Sequence, residues 1–340
     1  MIDAALVFPG QGAQQPRMGA GLSGRVRNFD AHFLEALTAW GLDTDHLVSV
    51  WSASGSDSGV DDAVASQPLL FALNYALGRS VIDHGVRPSF LLGHSVGEVV
   101  AAVLADVMSL HDAAAIMSNR IAHIADAPAG IMLAVSASRA DVEPFLSEHV
   151  SIGAHNAPRQ VVLVGTTEPM IAAEARIDDA GFFTRRAKSN LPFHSPVLLE
   201  SALRAVPDIE SRSLRPPTIP IVSGYTGQFL SDEEATSAHY WARQPAAPVY
   251  FSDALTTLLD AGPSVFVECG PGRSLSSIAR RSKAVTSGAT TVVSLLPARS
   301  GNDASDLESY RGALASLAAH GKSVQSDYTD ARDLADTVVE

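Results

Sequence analysis

Apolar runs and helical patterns alternate along most of the chain, which favours an α/β fold with a mainly parallel sheet. An apolar run at residues 4–8 ends in Pro9-Gly10-Gln11-Gly12, a combination typical of a loop. Residues 69–84 have the pattern of a buried helix closed by Gly85. Further on, residues 89–92 predict a strand, which a sharp turn joins to an almost wholly apolar helix at 99–107. Such a helix is expected at the centre of the fold.

The pattern of apolar and polar residues changes after residue 127. The pattern there predicts, in order, a strand at 131–135, a helix at 141–149, strands at 151–154 and 160–164, a helix at 168–180 and a strand at 182–188. The order βαββαβ is that of a ferredoxin-like unit. Beyond it the pattern of the larger domain resumes, with strands at 219–222 and 264–268 and a helix at 302–319.

These patterns predict three parts. A discontinuous large α/β domain with a mainly parallel sheet comprises residues 1–127 and 193–325. A ferredoxin-like small subdomain is inserted at 128–192, and an acidic tail follows at 326–340.

Composition narrows the possible functions. The chain has 340 residues, 46% of them hydrophobic and 18% charged, so it can bury a large core and is not a disordered protein. The net charge is −13, so the protein lacks the positive electrostatic field that nucleic acid binding requires. The first residues carry no basic segment, and charged or polar residues interrupt the apolar stretches before any could span a bilayer, so we expect a soluble cytoplasmic protein with no membrane partner.

Metal and disulfide chemistry are not expected either. Cys269 is the only cysteine, so no intramolecular disulfide or thiolate cluster can form. No histidine and carboxylate group has metal-ligand spacing, and the turn at Gly270-Pro271-Gly272 lacks the lysine of a phosphate loop.

Residues 93–97 read Gly93-His94-Ser95-Val96-Gly97 and match the pattern G-x-S-x-G. In that pattern a strand turns so sharply into a helix that glycines are needed on both sides of an exposed nucleophilic serine. The Val96 N–H at the helix start can then stabilise an oxyanion.

A serine nucleophile needs a base, and His194 stands in a loop fixed by Pro192 and Pro196. The loop suits a positioned base better than a helix face does, although most histidines chosen at random are structural. The usual hydrolase order of serine, acid and late histidine is absent, since no acidic third residue is evident.

Several motifs together resemble the acyltransferase family, which comprises malonyl-CoA:acyl-carrier-protein transacylases and polyketide synthase acyltransferases. In chain order they are Phe8-Pro9-Gly10-Gln11-Gly12-Ala13-Gln14, Ser66-Gln67-Pro68, Gly93-His94-Ser95-Val96-Gly97-Glu98, Arg120, Phe193-His194-Ser195, Tyr240-Trp241 and Glu268-Cys269-Gly270-Pro271-Gly272. The matches cover residues 5 to about 320 in the family's order. The resemblance implies that the large α/β domain is hydrolase-like and catalytic.

The resemblance implies a ping-pong mechanism. Ser95, activated by His194, would take an acyl group from coenzyme A and pass it to the phosphopantetheine thiol of an acyl carrier protein, with no bound cofactor. It also implies that a carbonyl at Gln244 orients the histidine, which would account for the missing acid, and that the backbone N–H groups of Gln11 and Val96 form the oxyanion hole.

The resemblance assigns substrate-binding positions as well. Arg120 falls where the family grips a free carboxylate, a task to which the guanidinium fork is suited. Phe193 and the aliphatic Val96 correspond to malonyl selectivity. Leu191-Pro192 departs from the common pattern and Met132 is placed in the same pocket, so a larger extender group is the alternative. Gln67 is either a pocket residue or a cap for the helix after it, and Asn156 either lies near the acyl site or forms a turn before proline.

The carrier in such systems is acidic, and so is this chain, so docking would need a local basic patch. The candidates are Arg185, Arg186, Lys188, Arg273, Arg280 and Arg281. The sequence thus predicts a discrete transacylase that loads malonyl groups onto a carrier for polyketide biosynthesis. The alternatives are an acyl-carrier thioester hydrolase, a carrier-to-carrier acyltransferase and a non-catalytic carrier-binding module.

Overall fold

The structure is a computed structural model that describes residues 3–54, 59–60, 63–189 and 191–320. The strands are β1 (Ala4–Phe8), β2 (Pro88–Gly93), β3 (Gly130–Val135), β4 (Val150–Ala157), β5 (Gln160–Thr166), β6 (Thr184–Arg186), β7 (Ile221–Val222), β8 (Val265–Glu268) and β9 (Thr291–Ser294).

The α-helices are α1 (Phe29–Thr38), α2 (Thr44–Ser52), α3 (Ala63–Asp83), α4 (Val96–Leu104), α5 (Leu110–Ile124), α6 (Arg139–Val142), α7 (Thr167–Asp179), α8 (Leu199–Leu203), α9 (Val206–Glu210), α10 (Asp232–Ala235), α11 (Ala238–Arg243), α12 (Phe251–Asp260), α13 (Ser274–Ala279), α14 (Lys283–Thr286) and α15 (Asp303–His320).

Two sheets organise these elements. A five-stranded sheet has the order β7-β2-β1-β8-β9, and a four-stranded sheet has the order β4-β5-β3-β6. The pairings of β1 with β8 and of β8 with β9 are parallel, whereas those within the four-stranded sheet are antiparallel. The predicted α/β class, with a parallel sheet and a small antiparallel subdomain, is confirmed.

Contacts divide the chain into two compact units, the first of residues 1–91 and 262–340 and the second of residues 92–261. In the first unit every residue of β1 is fully buried, and so are Val265, Phe266 and Val267 on β8. A strand covered on both faces needs such an unbroken apolar run, which explains the pattern at residues 4–8. The hydrophobic pattern does not predict β9, because polar Thr291 and Ser294 flank only two valines.

The second unit contains the four-stranded subdomain. Its core is an apolar cluster that includes Leu133 of β3, Leu163 of β5 and Ile177 of α7. The predicted order βαββαβ is present, but the helix predicted over 141–149 is wrong. Only Arg139–Val142 is α-helical, and a 3₁₀ turn over Glu143–Phe145 follows. Pro144 is the physical reason, because proline has no N–H to continue an α-helix.

The two compact units begin and end at other positions than the predicted domains, so they do not test the predicted boundaries. Those boundaries stay a prediction. The predicted tail at 326–340 lies outside the described residues. Across the described ranges, no helix combines the length and the apolar character that a membrane crossing requires.

Candidate active site

The G-x-S-x-G segment forms the tight turn that its glycines predict. β2 ends at Gly93 and α4 begins at Val96, which leaves Ser95 at the helix N-cap with a φ of 54°. A Cβ on Gly93 would lie 2.0 Å from the backbone nitrogen of Glu98, so no other residue fits there. A serine with positive φ is a backbone conformation that surrounding structure must impose. The turn therefore fixes the position of the Ser95 hydroxyl.

His194 stands at that hydroxyl. Ser95 Oγ lies 2.9 Å from His194 Nε2, so the predicted nucleophile and base are brought together. His194 also has positive φ, at 66°, and its backbone N–H donates to the Pro245 carbonyl at 2.6 Å. Both residues of the pair are thus held by their backbones as well as by the contact between their side chains.

The acceptor that orients the imidazole differs from the prediction. His194 Nδ1 lies 2.9 Å from the Ala247 carbonyl, three residues beyond Gln244. The Gln244 carbonyl instead accepts the Ala247 N–H at 3.3 Å within a 3₁₀ turn, which leaves it a weaker influence on the imidazole. Because a carbonyl only accepts, Nδ1 carries the proton and Nε2 presents its lone pair to Ser95.

The surroundings keep His194 neutral. Burial, with a smaller contribution from the nearby His94, lowers the pKa of His194 from 6.5 to about 4, although the Ala247 carbonyl acts in the opposite direction. At neutral pH the imidazole is therefore free to accept a proton from Ser95.

Arg120 is buried in the same unit, with 7% of its surface exposed. Its Nη1 donates to the Trp241 carbonyl at 2.7 Å and to Gln244 Oε1 at 2.9 Å. Burial lowers the pKa of the guanidinium, and the nearby Tyr225 and Glu98 raise it. Its Nε is buried without a hydrogen-bond partner among the described residues. No carboxylate of the described residues forms an ion pair with this buried cation, so it can receive an anionic ligand.

Glu98 is also buried, and Gln244 connects it to Arg120. Glu98 accepts hydrogen bonds from the Gly224 N–H at 2.6 Å, from the Ser223 hydroxyl at 3.3 Å, from Gln244 Nε2 at 3.4 Å and from the Tyr240 hydroxyl. Burial raises its pKa from 4.5 to about 7. Gln244 thereby joins Glu98 to Arg120 through its two amide atoms.

Phe193 and Met132 come together as the resemblance implies. Both belong to an apolar cluster that also contains Ile124, at the end of the helix that carries Arg120. Phe193 is buried and Met132 is partly buried. The cluster can form an apolar wall next to the predicted base.

Asn156 forms a hydrogen bond with His94, in the turn that carries Ser95. Its Oδ1 lies 2.8 Å from His94 Nε2, while the His94 ring packs against Phe251 with 5.5 Å between centroids. Asn156 also lies on β4 rather than in a turn. It thus orients the residue before the nucleophile.

Two predicted residues lie in the first unit. Gln11 follows β1 in a loop and is partly buried. Gln67 is buried within α3, which begins at Ala63, so the interpretation of Gln67 as a helix cap is wrong. Pro68 inside this helix made its beginning hard to predict.

The basic docking candidates differ in their surroundings. On β6, Arg185 and Arg186 are exposed, and Arg186 Nε donates to Glu174 at 2.7 Å. Lys188 is exposed beyond the strand end. In the first unit Arg273 is partly buried and donates to the Leu296 carbonyl at 3.2 Å and to Ser309 at 3.3 Å. Arg280 and Arg281 are exposed.

Ala247 and Tyr225 are not among the residues predicted from the sequence. Ala247 acts through its backbone carbonyl, so its side chain gives no sign of that role in the sequence. Tyr225 follows β7, which ends at Val222, and the carboxyl end of a strand in an open α/β sheet is where ligand sites lie, so its position was a usable signal. Within the part of the chain that the structure describes, no group of histidine, cysteine and carboxylate side chains is arranged to hold a metal ion.

Comparison with curated proteins finds similar sequences in polyketide synthases. The chain is 33% identical over 306 residues to the spectinabilin polyketide synthase system protein NorB of Streptomyces orinoci, and the match covers 87% of this chain and 14% of that protein. The chain thus spans less than a fifth of the length of this curated relative.

Solved structures agree in fold. The acyl transferase domain of SpnD, in complex with 2-(pent-4-yn-1-yl)malonyl, has a TM-score of 0.84 and 30% identity over 94% of this chain and 77% of that one. Malonyl-CoA:acyl carrier protein transacylase from Xanthomonas oryzae has a TM-score of 0.80 and 28% identity over 93% of this chain and 99% of that one. The sequence model of the acyl transferase domain matches residues 5–320, and the chain therefore belongs to the acyl transferase domain family.

Proposed function

We propose that this acyltransferase moves a malonyl-type group from coenzyme A to the phosphopantetheine thiol of an acyl carrier protein through an ester on Ser95. The observation that carries the proposal is the 2.9 Å contact between Ser95 Oγ and His194 Nε2 at a strand-to-helix turn. A thioester is a suitable donor for such a serine, because a thiolate leaves readily.

In the first half-reaction Ser95 Oγ attacks the thioester carbonyl carbon while its proton passes to His194 Nε2. The bond from carbon to sulfur then breaks, and the coenzyme A thiolate takes the proton from the imidazolium. In the second half-reaction the carrier thiol gives its proton to His194 and attacks the acyl-serine. The ester bond breaks, and the proton returns to Ser95.

Each attack places negative charge on the former carbonyl oxygen. Val96 is the first residue of α4, so its N–H is one of the donors that a helix leaves without an intrahelical acceptor. The helix dipole adds to its attraction for an oxyanion. The resemblance assigns a second donor to the Gln11 N–H, and that assignment stays a prediction.

Arg120 supports the choice of a malonyl-type group. A buried guanidinium with no anionic partner among the described residues is costly unless a ligand carboxylate pairs with it. A carboxylate on the acyl group would form that pair, whereas an acetyl group would leave Arg120 uncompensated. This selection accounts for a buried cation whose two hydrogen-bond acceptors, the Trp241 carbonyl and Gln244 Oε1, are both neutral.

The apolar cluster of Phe193 and Met132 supports a compact malonyl group. The relative SpnD is in complex with 2-(pent-4-yn-1-yl)malonyl, so a domain of this fold admits a large α-substituent. Side chains at the acyl site, and not the fold, must therefore set the accepted size.

We further propose a role in polyketide assembly, which the synthase relative supports. The carrier would dock on exposed basic residues such as Arg185, which lies on an edge strand of the four-stranded sheet. Docking by Arg273 has less support, since its donors already bind Leu296 and Ser309. Action as a discrete cytoplasmic enzyme stays a prediction.

The test is a transfer assay with malonyl-CoA and a phosphopantetheinylated carrier protein. We expect malonyl-carrier from the wild type and none above background from Ser95→Ala. Ser274→Ala is the control, because it removes a serine hydroxyl in the other unit. Release of free malonate without malonyl-carrier would show a hydrolase and contradict the proposal.

A further inference from the structure

Glu98 is a buried carboxyl group close to the nucleophile, and it takes no part in the proposed reaction. It is the third residue of α4, and its N–H donates to the Ser95 carbonyl at 2.9 Å. The side chain has no exposed surface. Burial of a carboxyl group costs free energy that hydrogen bonds must offset. Glu98 receives such bonds from four groups, so the structure fixes both of its oxygens.

The two carboxylate oxygens of Glu98 have different partners. Oε2 accepts from the Gly224 N–H at 2.6 Å. Oε1 accepts from Gln244 Nε2 at 3.4 Å and from the hydroxyls of Ser223 and Tyr240. A backbone N–H can only donate, whereas a hydroxyl can rotate and either donate or accept. Gly224 therefore requires an acceptor at Oε2, and Oε1 is the oxygen that meets the Gln244 amide.

The Gln244 amide has two ends of similar size and opposite hydrogen-bonding character. Packing alone therefore cannot decide which end faces Arg120. An ionised Glu98 has no proton to donate, so it takes the amide nitrogen and leaves the oxygen to accept from Arg120 Nη1 at 2.9 Å. In the reverse orientation the amide N–H groups would face the guanidinium N–H groups, and Arg120 would keep only the Trp241 carbonyl. Glu98 thus sets the direction of the amide.

The backbone of Gln244 is held separately from its side chain. Gln244 begins a 3₁₀ turn, and its carbonyl accepts from the Ala247 N–H at 3.3 Å. The carbonyls of Pro245 and Ala247 in turn accept from the backbone N–H and from Nδ1 of His194. A rotation of the side-chain amide can therefore change the surroundings of Arg120 without moving the base.

We propose that Glu98 is a positioning residue of this acyltransferase: it holds the Gln244 amide with its oxygen towards Arg120, and so favours acyl groups that carry a free carboxylate. This inference rests on the proposed function and names a residue that sets its selectivity. With no exposed surface, Glu98 has no contact with the acyl group and acts only through Gln244.

Glu98→Gln keeps the shape of the side chain and replaces one acceptor by a donor. Because the Gly224 N–H needs the remaining oxygen, the new NH₂ group takes the place of Oε1 and faces Gln244. The Gln244 amide should then turn its oxygen to position 98 and its nitrogen to Arg120. We expect the ratio of kcat/KM for malonyl-CoA to that for acetyl-CoA to fall about 5- to 10-fold, mainly through KM for malonyl-CoA.

The assays are run at about pH 8, where Glu98 is ionised because its pKa is about 7. Both donors are measured with the same enzyme, so any loss of folded protein cancels in the ratio. Glu268→Gln is the matched control, because Glu268 is a buried carboxyl group of the other unit. Its ratio should stay within about twofold of the wild type.

A double variant tests whether Glu98 acts through Gln244. Gln244→Leu has no amide to orient, so Glu98→Gln should change the ratio in that background by less than about twofold. Two results would overturn the inference: a ratio that Glu98→Gln leaves unchanged in the wild type, or one that it lowers by the same factor in both backgrounds. If the wild type still loads malonyl, either result leaves the proposed function standing.

The same four proteins test the contact between Glu98 and Gln244 without any acyl-CoA, through their free energies of unfolding in denaturant at about pH 8. Because the two side chains interact, the double variant should lose less than the sum of the two single losses. Additive losses would overturn the orienting role. If the wild type takes no acyl group from any acyl-CoA, the proposed function fails together with the selectivity role, and this comparison alone decides whether Glu98 orients Gln244.

Discussion

Gln244 Oε1 accepts a 2.9 Å hydrogen bond from Arg120 Nη1, and the same amide turns its nitrogen towards Glu98 at 3.4 Å. The glutamine thus fixes the guanidinium without neutralising its charge. In Gln244→Leu, Arg120 keeps the Trp241 carbonyl but loses this second acceptor. We expect KM for malonyl-CoA to rise about 5- to 10-fold, about 1 kcal/mol, with little change for acetyl-CoA.

Gln244→Glu is the sharper variant because it places a carboxylate against Arg120. It should reduce malonyl transfer further than Gln244→Leu, since the cation would then be paired internally. Steady-state kinetics with both donors measure the effect. Equal losses for malonyl-CoA and acetyl-CoA would mean that Gln244 only supports the fold.

The low pKa of His194 predicts a wide pH range for acylation of Ser95. Protonated imidazole cannot accept the serine proton, so kcat/KM should fall as pH drops through about 4 and stay level from about pH 5 to neutral. Rapid-quench measurement of acyl-serine between about pH 3.5 and 8 tests this, with circular dichroism to verify that the protein stays folded. An inflection near 6.5, the ordinary value for histidine, would contradict the account.

Glu98 makes a prediction about stability. Its pKa is raised from 4.5 to about 7 in the folded state, so the folded protein binds more protons than the unfolded one between these values. Its contribution is present below pH 4.5 and is lost as pH rises through 7, a change of about 3 kcal/mol. His194 acts in the opposite direction, because its lowered pKa costs stability as pH falls from 6.5 towards 4.

The comparison with Glu98→Gln isolates the carboxyl, since the variant retains His194 and lacks the titration at position 98. Denaturant unfolding at about pH 4 and pH 8 should show that the wild type loses about 3 kcal/mol relative to the variant at the higher pH. Altered hydrogen bonds add an offset that does not change with pH. A constant difference between the two proteins would refute a raised pKa.

Gly93 and Gly312 form a matched pair of glycine substitutions. A Cβ at Gly93 meets the Glu98 backbone nitrogen at 2.0 Å, whereas one at Gly312 meets nothing within 4 Å. We expect Gly93→Ala to lower the free energy of unfolding by about 3 kcal/mol or more. Gly312→Ala, within α15, should raise it by about 0.5–1 kcal/mol. Thermal unfolding of both variants gives the comparison, and similar effects would contradict the turn geometry.

Much of the fold could be predicted because its elements are locally encoded. The fully apolar residues 4–8 became β1, and the apolar stretch after Ser95 became the buried helix α4. The βαββαβ order followed from clear changes of period. Pro144 divided a segment with helical periodicity, and β9 was too short and too polar to show a pattern.

The candidate site was predicted in part for a similar reason. Ser95 and His194 stand in distinctive segments, and the structure brings them together. The Ala247 carbonyl was assigned three residues away, because the direction of a backbone acceptor depends on how a turn ends. The Glu98 network joins residues more than 120 positions apart, and no periodicity encodes such contacts.

The central claim is that Ser95 accepts a malonyl-type group from coenzyme A under the control of Arg120. The most direct test is the intact mass of the protein after brief mixing with equimolar acetyl-, malonyl-, methylmalonyl- and ethylmalonyl-CoA, with Ser95→Ala and Arg120→Ala in parallel. We expect a malonyl increment on the wild type, none on Ser95→Ala, and an acetyl increment on Arg120→Ala. An acetyl increment on the wild type that equals or exceeds the malonyl increment, or no increment from any donor, would contradict the claim.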